Sequence, residues 1–327
     1  MIITRTPFRI SFAGGGSDLP AFFGEEAGAV LSAAINKYVY LTVKRRFGGT
    51  FRVSYSKTEI CEQLADVEHP IVRECLKAAA INAGLEIVSI ADLPSESGMG
   101  SSSSFTVGLL GALHALQGHF VTQEQLAREA CVVEIERLQE PIGKQDQYIA
   151  AYGGMQFLRF QPDGSVFADP VICSGETKRE LQRRLILFFM GGARSARSVL
   201  SRQNANTGAN RESLRQLCAL ASQMREVLTT GRDLNCFGYL LNEAWRIKKT
   251  LEKTISNSQI DHIYDCAIGA GALGGKLLGA GGGGFILFYC EPHHQDRLRR
   301  ALDGITEVPF GFDSQGSKVI YVGEDQW

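Results

Sequence analysis

Between a strand-like apolar run, Leu85–Ile90, and a stretch rich in apolar and small residues, Phe105–Leu116, the chain carries Pro94-Ser-Glu-Ser-Gly-Met-Gly-Ser-Ser-Ser-Ser104. This junction constrains the fold more than any other segment. A serine run is ordinarily a flexible linker, but here it is fused to the start of a buried helix, a poor place for one. The first turn of a helix leaves backbone N–H groups unpaired and carries a partial positive charge, so it attracts phosphate. Gly98 and Gly100 permit close approach to the backbone. The hydroxyls of Ser101, Ser102 and Ser103 can bind phosphate oxygens or a Mg²⁺ ion. Familiar phosphate loops are excluded by their own grammar. The segment has no Walker-type lysine, Ser103 stands where a dinucleotide loop needs its third glycine, and the HRD and DFG triplets of protein kinases are absent from the chain.

The rest of the chain has to supply the core that such a loop needs. With 327 residues, at about 150 residues per domain, two domains are expected. Apolar residues make up 44% and charged residues 21%, which excludes wholesale disorder. A net charge of −1 argues against a dedicated nucleic-acid binder. No apolar run approaches the length of a membrane span, and no charged leader precedes an apolar stretch at the N-terminus, so neither a membrane segment nor a signal peptide is expected. Eight cysteines without a CxxC pair read as reduced, mostly buried thiols of a cytoplasmic protein.

Short β-rich runs dominate the first half: Ile2–Thr6, Arg9–Phe12, Val39–Lys44, Phe51–Tyr55, Leu85–Ile90 and Gly153–Phe160. Helical patterns fall at Pro70–Asn82, Phe105–Leu116 and Thr122–Gln139. The last of these opens with a capping box, Thr122 with Gln125, and a hydrophobic staple, Val121 with Leu126. The second half begins with the strand Leu185–Met190 and turns helical, with Leu214, Leu217, Ala221, Met224 and Leu228 on one face. Further helices are expected at Phe237–Leu251 and Gln259–Ala270. The chain closes with a strand at Phe285–Tyr289, a helix at His294–Leu302, and strands at Ile305–Phe310 and Lys318–Val322. The pattern predicts an α+β protein with domains at 1–175 and 176–327.

Two other glycine clusters and two carboxylates complete the candidate set. In Pro7–Asp18 a strand ends in Gly14-Gly-Gly-Ser-Asp18, where Gly16, Ser17 and Asp18 either face a ligand or form a turn with Asp18 capping a short helix. Gly279-Ala-Gly-Gly-Gly-Gly-Phe285 opens a strand; its backbone can line a cavity, brace another loop or form a tight turn. At about 100° per residue, Glu134 shares a face with Ala127, Ala130, Cys131 and Leu138, whereas Glu136 points with Gln125, Glu129 and Glu140. A glutamate on an apolar face is costly unless a cation or hydrogen bonds hold it. Structural ion pairing and Mg²⁺ binding both satisfy that requirement. Beyond Pro141, the irregular segment Ile142-Gly-Lys-Gln-Asp-Gln147 carries Asp146, which either takes a proton from an attacking hydroxyl or caps the helix that follows.

In this order the segments resemble the motifs of the GHMP kinases over nearly the whole chain. Pro7–Asp18 is similar to the first motif, Pro94–Ser104 to the phosphate loop and Lys276–Phe285 to the third. Pro141–Gln147 is similar to the aspartate segment of the sugar kinases in that family. The resemblance implies an N-terminal domain like domain 2 of ribosomal protein S5 and a ferredoxin-like C-terminal domain, with the site between them. It implies ATP and Mg²⁺, with Gly98, Met99, Gly100, Ser101, Ser102 and Ser103 around the nucleotide phosphates, and Ser102 with Glu134 on the metal. Asp146 would be the base or orienting carboxylate, and Arg9 would favour the reacting hydroxyl or offset developing charge. Gly16, Ser17 and Asp18 would bind the substrate, and Gly281, Gly282 and Gly283 would line its site.

Galactokinases have Gly-Glu-His-Thr-Asp where this chain has Gly14-Gly-Gly-Ser-Asp18, which argues against galactose. That motif together with Gly143-Lys-Gln-Asp-Gln147 is most similar to the D-glycero-D-manno-heptose 7-phosphate kinases and the related fucokinases, which act on an anomeric hydroxyl. The implied partners are therefore a small-molecule sugar phosphate and ATP, with no nucleic acid and no membrane, and with a homodimer left open. The implied reaction is phosphorylation at O1 towards nucleotide-activated heptose. Lys144, Arg194 and Arg197 are candidate partners for a substrate phosphate, or solvated surface charges. Retention of Glu134 and Asp146 counts against a sensor that has lost catalysis.

Overall fold

The computed structural model describes residues 1–82, 84–95, 97–191 and 196–323. Two sheets organise them. The larger has the spatial order Lys318–Val322, Ile2–Ala13, Gly28–Arg45, Leu85–Ala91, Phe51–Ser54, Thr58–Cys61, with Met155–Phe160 also pairing Gly28–Arg45 and carrying Val166–Pro170 beside it. All its pairs are antiparallel except Phe51–Ser54 with Leu85–Ala91. The smaller has the antiparallel order Thr306–Glu307, Leu185–Phe189, Phe285–Cys290, Ala272–Leu277. Read along the chain this is β-α-β-β-α-β with spatial order 4-1-3-2, the expected ferredoxin-like arrangement. The terminal strand Lys318–Val322 crosses back to pair Ile2–Arg5, so no single cut in the sequence separates the two sheets.

Several differences from the sequence pattern have physical causes. Ile2–Thr6 and Arg9–Phe12 join into one strand through Pro7, because the ladder shifts register between Pro7 and Phe8 and the neighbour on the other edge stops at Arg5. A proline without an N–H is tolerated at such a bulge. Val39–Lys44 is the end of an 18-residue strand, Gly28–Arg45, whose first half is buried and therefore shows no polar alternation. Thr122 caps its helix by accepting from Gln125 N at 3.1 Å, but the Gln125 side chain donates to Glu129 at 2.8 Å, so the box is half formed. That helix is α-helical only over Gln123–Cys131 and continues as a π-helical segment, Val132–Arg137. Ile305–Phe310 shrinks to the two paired residues Thr306–Glu307. The eight cysteines are unpaired, but only Cys75, Cys131 and Cys290 are buried.

The phosphate-loop helix, Ser101–Leu116, is sunk in the larger domain, with Ser103 to Leu113 all buried. Gly108 lies so close to the first strand that a Cβ there would sit 2.6 Å from Thr6 Oγ1, which is why the small residues are needed. No helix among the described residues is long and apolar enough to cross a membrane.

Candidate active site

A cavity of about 460 Å³ lies where the two sheets' loops meet, with residues of both domains in its wall. Its floor on one side is Gly98 and Gly100–Ser103. Gly98 (φ +80°) and Gly100 (φ +78°) hold left-handed conformations that side chains resist. Gly100 is the N-cap and no side chain caps the helix. The first-turn N–H groups therefore stand at the cavity with the positive end of the helix behind them. The third glycine cluster braces this loop from behind: a Cβ on Gly98 would sit 2.4 Å from Leu278 O, and one on Gly284 would sit 2.4 Å from Ser97 O. Met99 is expected beside the nucleotide, but its side chain is fully buried and its carbonyl accepts from Arg9 N at 3.1 Å.

Asp146 stands in the first turn of the helix Gln145–Tyr152, with 23% of its side chain exposed into the cavity. Arg9 grips it with two bonds, Nε to Oδ1 and Nη2 to Oδ2, both 2.7 Å, and its Nη1 donates to Gly98 O at 2.7 Å. Such a fork fixes orientation as well as charge. One guanidinium thus ties the carboxylate to the phosphate loop, so Asp146 is not merely a helix cap. Lone pairs remain on both of its oxygens.

Glu134 is fully buried and accepts from Ser102 Oγ, from Ser103 Oγ at 2.8 Å and from Gln147 Nε2 at 2.7 Å. Burial pushes its carboxyl above the usual range, against the pull of these three donors. The expectation of a buried Glu134 and an exposed Glu136 holds, although the π-helical turn, a feature common at functional sites, replaces the α-helical one assumed. No ion pair holds Glu134 among the described residues. Ser102 lines the cavity directly in front of it. Two hard oxygens in contact, one a carboxylate, fit Mg²⁺, which typically takes one or two protein carboxylates and completes its shell with phosphate and water. Among the described residues no cluster of three or more His, Cys, Asp or Glu side chains offers a self-sufficient metal site.

Asp18 is buried beside the cavity and does not cap the helix Pro20–Phe23, whose N-cap is Leu19. Its Oδ1 accepts from Gly16 N at 2.8 Å and its Oδ2 from Gln145 N at 3.3 Å. Burial raises its pKa, and the Asp146 charge adds to the rise. Gly16 lines the cavity, whereas Ser17 is buried in the turn and donates to Gly14 O at 2.8 Å. Other expected substrate positions also turn away. Lys144 donates to Gly164 O at 2.9 Å and lies over the Phe23 ring. Gly281 backs onto Ile255, and Gly282 donates to Ile255 O at 3.0 Å. Of the third cluster, Gly279 and Ala280 are the residues at the cavity, and Gly283 is not among those lining it. Arg194 lies outside the described residues. Arg197 stands at the cavity, 3.5 Å from Glu140 and 59% exposed.

Sequence reasoning missed two lysines in the wall, Lys248 and Lys276, each only 8% exposed. Burial lowers both pKa values, to about 8 for Lys248 and about 7 for Lys276. The signal was present. Lys248 follows Leu241, Ala244 and Trp245 by seven, four and three residues, on the buried face of its helix. Lys276 interrupts an apolar glycine-rich strand. The face test that singled out Glu134 also finds Lys248.

A loop of backbone donors at a helix entrance, with a clamped carboxylate beside it in the same cavity, is the equipment of a phosphotransferase acting on a hydroxyl. The models of the GHMP kinases N-terminal domain and of the GHMP kinases C-terminal domain match residues 60–154 and 207–305. The D-glycero-alpha-D-manno-heptose 7-phosphate kinase of Campylobacter jejuni is 30% identical, over 97% of this chain and 98% of its own. A bifunctional fucokinase/GDP-fucose pyrophosphorylase of Arabidopsis thaliana is 28% identical over 91% of this chain, which spans 30% of that larger protein. A crystal structure of a D-glycero-D-manno-heptose 1-phosphate kinase from Bacteriodes thetaiotaomicron superposes with a TM-score of 0.83 at 25% identity, covering 99% of this chain and all of that one. The chain belongs to the GHMP kinases. It is a sugar kinase, a phosphotransferase with an alcohol group as acceptor.

Proposed function

We propose that this kinase transfers the γ-phosphoryl group of ATP to the anomeric O1 hydroxyl of D-glycero-D-manno-heptose 7-phosphate. The observation that carries this reading is the full-length likeness to the Campylobacter kinase, and a cavity that offers both a phosphate loop and uncommitted cationic side chains supports it. Phosphoryl transfer asks a protein mainly to position the groups and to stabilise charge. The N–H groups of Gly100–Ser103 hold the nucleotide phosphates. Arg9 aims the Asp146 carboxylate, which orients the O1 hydroxyl and accepts its proton as the oxygen attacks phosphorus. Asp18, fixed by two backbone N–H groups, accepts from sugar hydroxyls. Ser102 and Glu134 would hold Mg²⁺, which when bound supplies positive charge to the phosphate oxygens.

Coupled ADP release with Mg²⁺-ATP across D-glycero-D-manno-heptose 7-phosphate, L-fucose, D-mannose, D-galactose and mevalonate tests the reading. Turnover on the heptose phosphate is expected. Turnover on L-fucose in its place would transfer the mechanism to a fucokinase. ATP binding without turnover on any acceptor would leave a sensor.

A further inference from the structure

The two ammonium groups to which the motifs gave no role are unusual in what surrounds them. Lys276 Nζ donates to Ser11 O at 2.7 Å, and Lys248 Nζ to Gln203 Oε1 at 3.0 Å and Gly15 O at 3.4 Å. Among the described residues, all of these partners are neutral oxygens. A buried charge ordinarily has an ionic partner, because desolvation without one is costly. The other charges at the cavity are already committed: Arg9 to Asp146 and Arg197 to Glu140. One carboxylate, Asp18, remains to set against two ammoniums, and it is occupied by backbone donors. Two further donors nearby are buried without an acceptor, Ser11 Oγ, which lines the cavity, and Gln203 Nε2, which packs beneath Gly16. The four groups form a surplus of donors and positive charge that an anion would satisfy.

The contacts of both lysines also locate that anion. They hold the Ser11–Gly16 segment, and neither bonds the Gly98–Ser103 loop that serves the nucleotide. We propose that Lys248 and Lys276, with Ser11 Oγ, are the subsite for a phosphate carried by the acceptor, so that the enzyme selects a sugar that is already phosphorylated. This rests on the sugar-kinase reading above and names the residues behind its specificity; Lys144 is not among them. Charge-assisted hydrogen bonds from two ammoniums to a dianion are among the stronger polar contacts in a protein. They also relieve the desolvation that depresses both lysines.

The test is steady-state kinetics of wild type, Lys248→Met and Lys276→Met on the heptose 7-phosphate and on the same heptose without its phosphate. Methionine keeps the buried stem and removes an unpaired charge, so both variants are expected to melt no lower than wild type. Loss of one charged hydrogen-bonding partner should raise KM for the phosphorylated acceptor about 10- to 100-fold. The preference for it over the neutral sugar should fall by a similar factor, while KM for ATP moves less than about threefold. A rise in KM for ATP with an unchanged acceptor preference would overturn the proposal and assign the lysines to the nucleotide. Equal use of both sugars by the wild type would overturn it while leaving the kinase intact. If neither heptose is a substrate, the function proposed above fails by itself. Inorganic phosphate titrated calorimetrically then decides the subsite. Binding to wild type that both variants lose supports it, and no binding to wild type sinks it.

Discussion

The two sides of the cavity are built in different ways. The proposed nucleotide side is six consecutive residues, Gly98–Ser103, which would act through backbone N–H groups and hydroxyls at one helix entrance. The opposing side is made of single side chains delivered by separate elements: Lys248 from the helix Asn235–Thr250, Lys276 from the strand Ala272–Leu277, and Asp146 from the start of another helix. The first kind of site is specified by local backbone conformation and the second by how elements pack. Substitutions should therefore damage the first only near the loop, and the second from well outside the cavity.

The largest effect is expected where the two sides meet. Asp146→Asn keeps the shape but loses the proton acceptor and one member of the Arg9 clamp. It should lower kcat by about 10²- to 10⁴-fold, with ATP binding by calorimetry nearly unchanged. Near-normal turnover would show that Asp146 neither accepts nor orients the reacting proton.

A pair of glycine substitutions then separates the two construction principles. Gly98→Ala meets both a left-handed φ of +80° and Leu278 O at 2.4 Å. The combined strain and overpacking should cost about 2 to 4 kcal/mol, with a raised KM for ATP. Gly274→Ala lies in the strand of Lys276, where a Cβ would sit 2.1 Å from Gly238 O and 2.7 Å from Asn242 N of the helix that carries Lys248. Forcing helix and strand apart should cost about 1 to 3 kcal/mol and raise KM for the acceptor, leaving KM for ATP close to wild type. If both variants changed the same kinetic constant, the division of the cavity into two independently built sides would be wrong.

The same contrast decides what was legible in the sequence. The phosphate loop, Asp18 and Asp146 could be singled out because each sits in a short stretch whose composition is odd for its context, and Glu134 because it falls on the apolar face of its helix. The ferredoxin-like order came from the resemblance alone, because the run of elements expected after Leu185 lacked the glycine-rich strand Ala272–Leu277. The π-helical turn at Val132–Arg137 was invisible, since side-chain periodicity over two turns does not distinguish it from an α-helix. The return of Lys318–Val322 to the first strand is a long-range pairing that no local pattern encodes. For Lys144 the motif left two readings open, because its motif neighbours face the cavity while its own ammonium turns to Gly164 O and the Phe23 ring. Gly281–Gly283 were placed at the site by motif alone, but in the loop between the two strands Gly279 and Ala280 are the residues that line the cavity.

The smallest predicted effect needs no substrate. Burial lowers the pKa of Lys276 from 10.5 to about 7, with the Lys248 and Arg9 charges adding to the fall, and that of Lys248 to about 8. Between those values and 10.5 the unfolded chain binds more protons than the folded one, so these lysines make the ligand-free protein more stable as pH rises. Below pH 7 both are charged in either state, and the burial penalty is present in full. Above pH 8.5 the raised pKa values of buried thiols such as Cys75 and Cys131 act in the opposite direction. The window that isolates the lysines is therefore pH 7 to 8.5, read as the difference between wild type and Lys276→Met in urea unfolding. Wild type should gain about 1 to 2 kcal/mol on the variant across that window. Saturating phosphate-bearing acceptor should reduce the gain, because the anion keeps the ammonium charged in the folded state. A pH-independent difference would mean that Lys276 is already neutral or already paired in the free protein. The acceptor-side surplus of charge, and with it the contrast between the two walls, would then be lost.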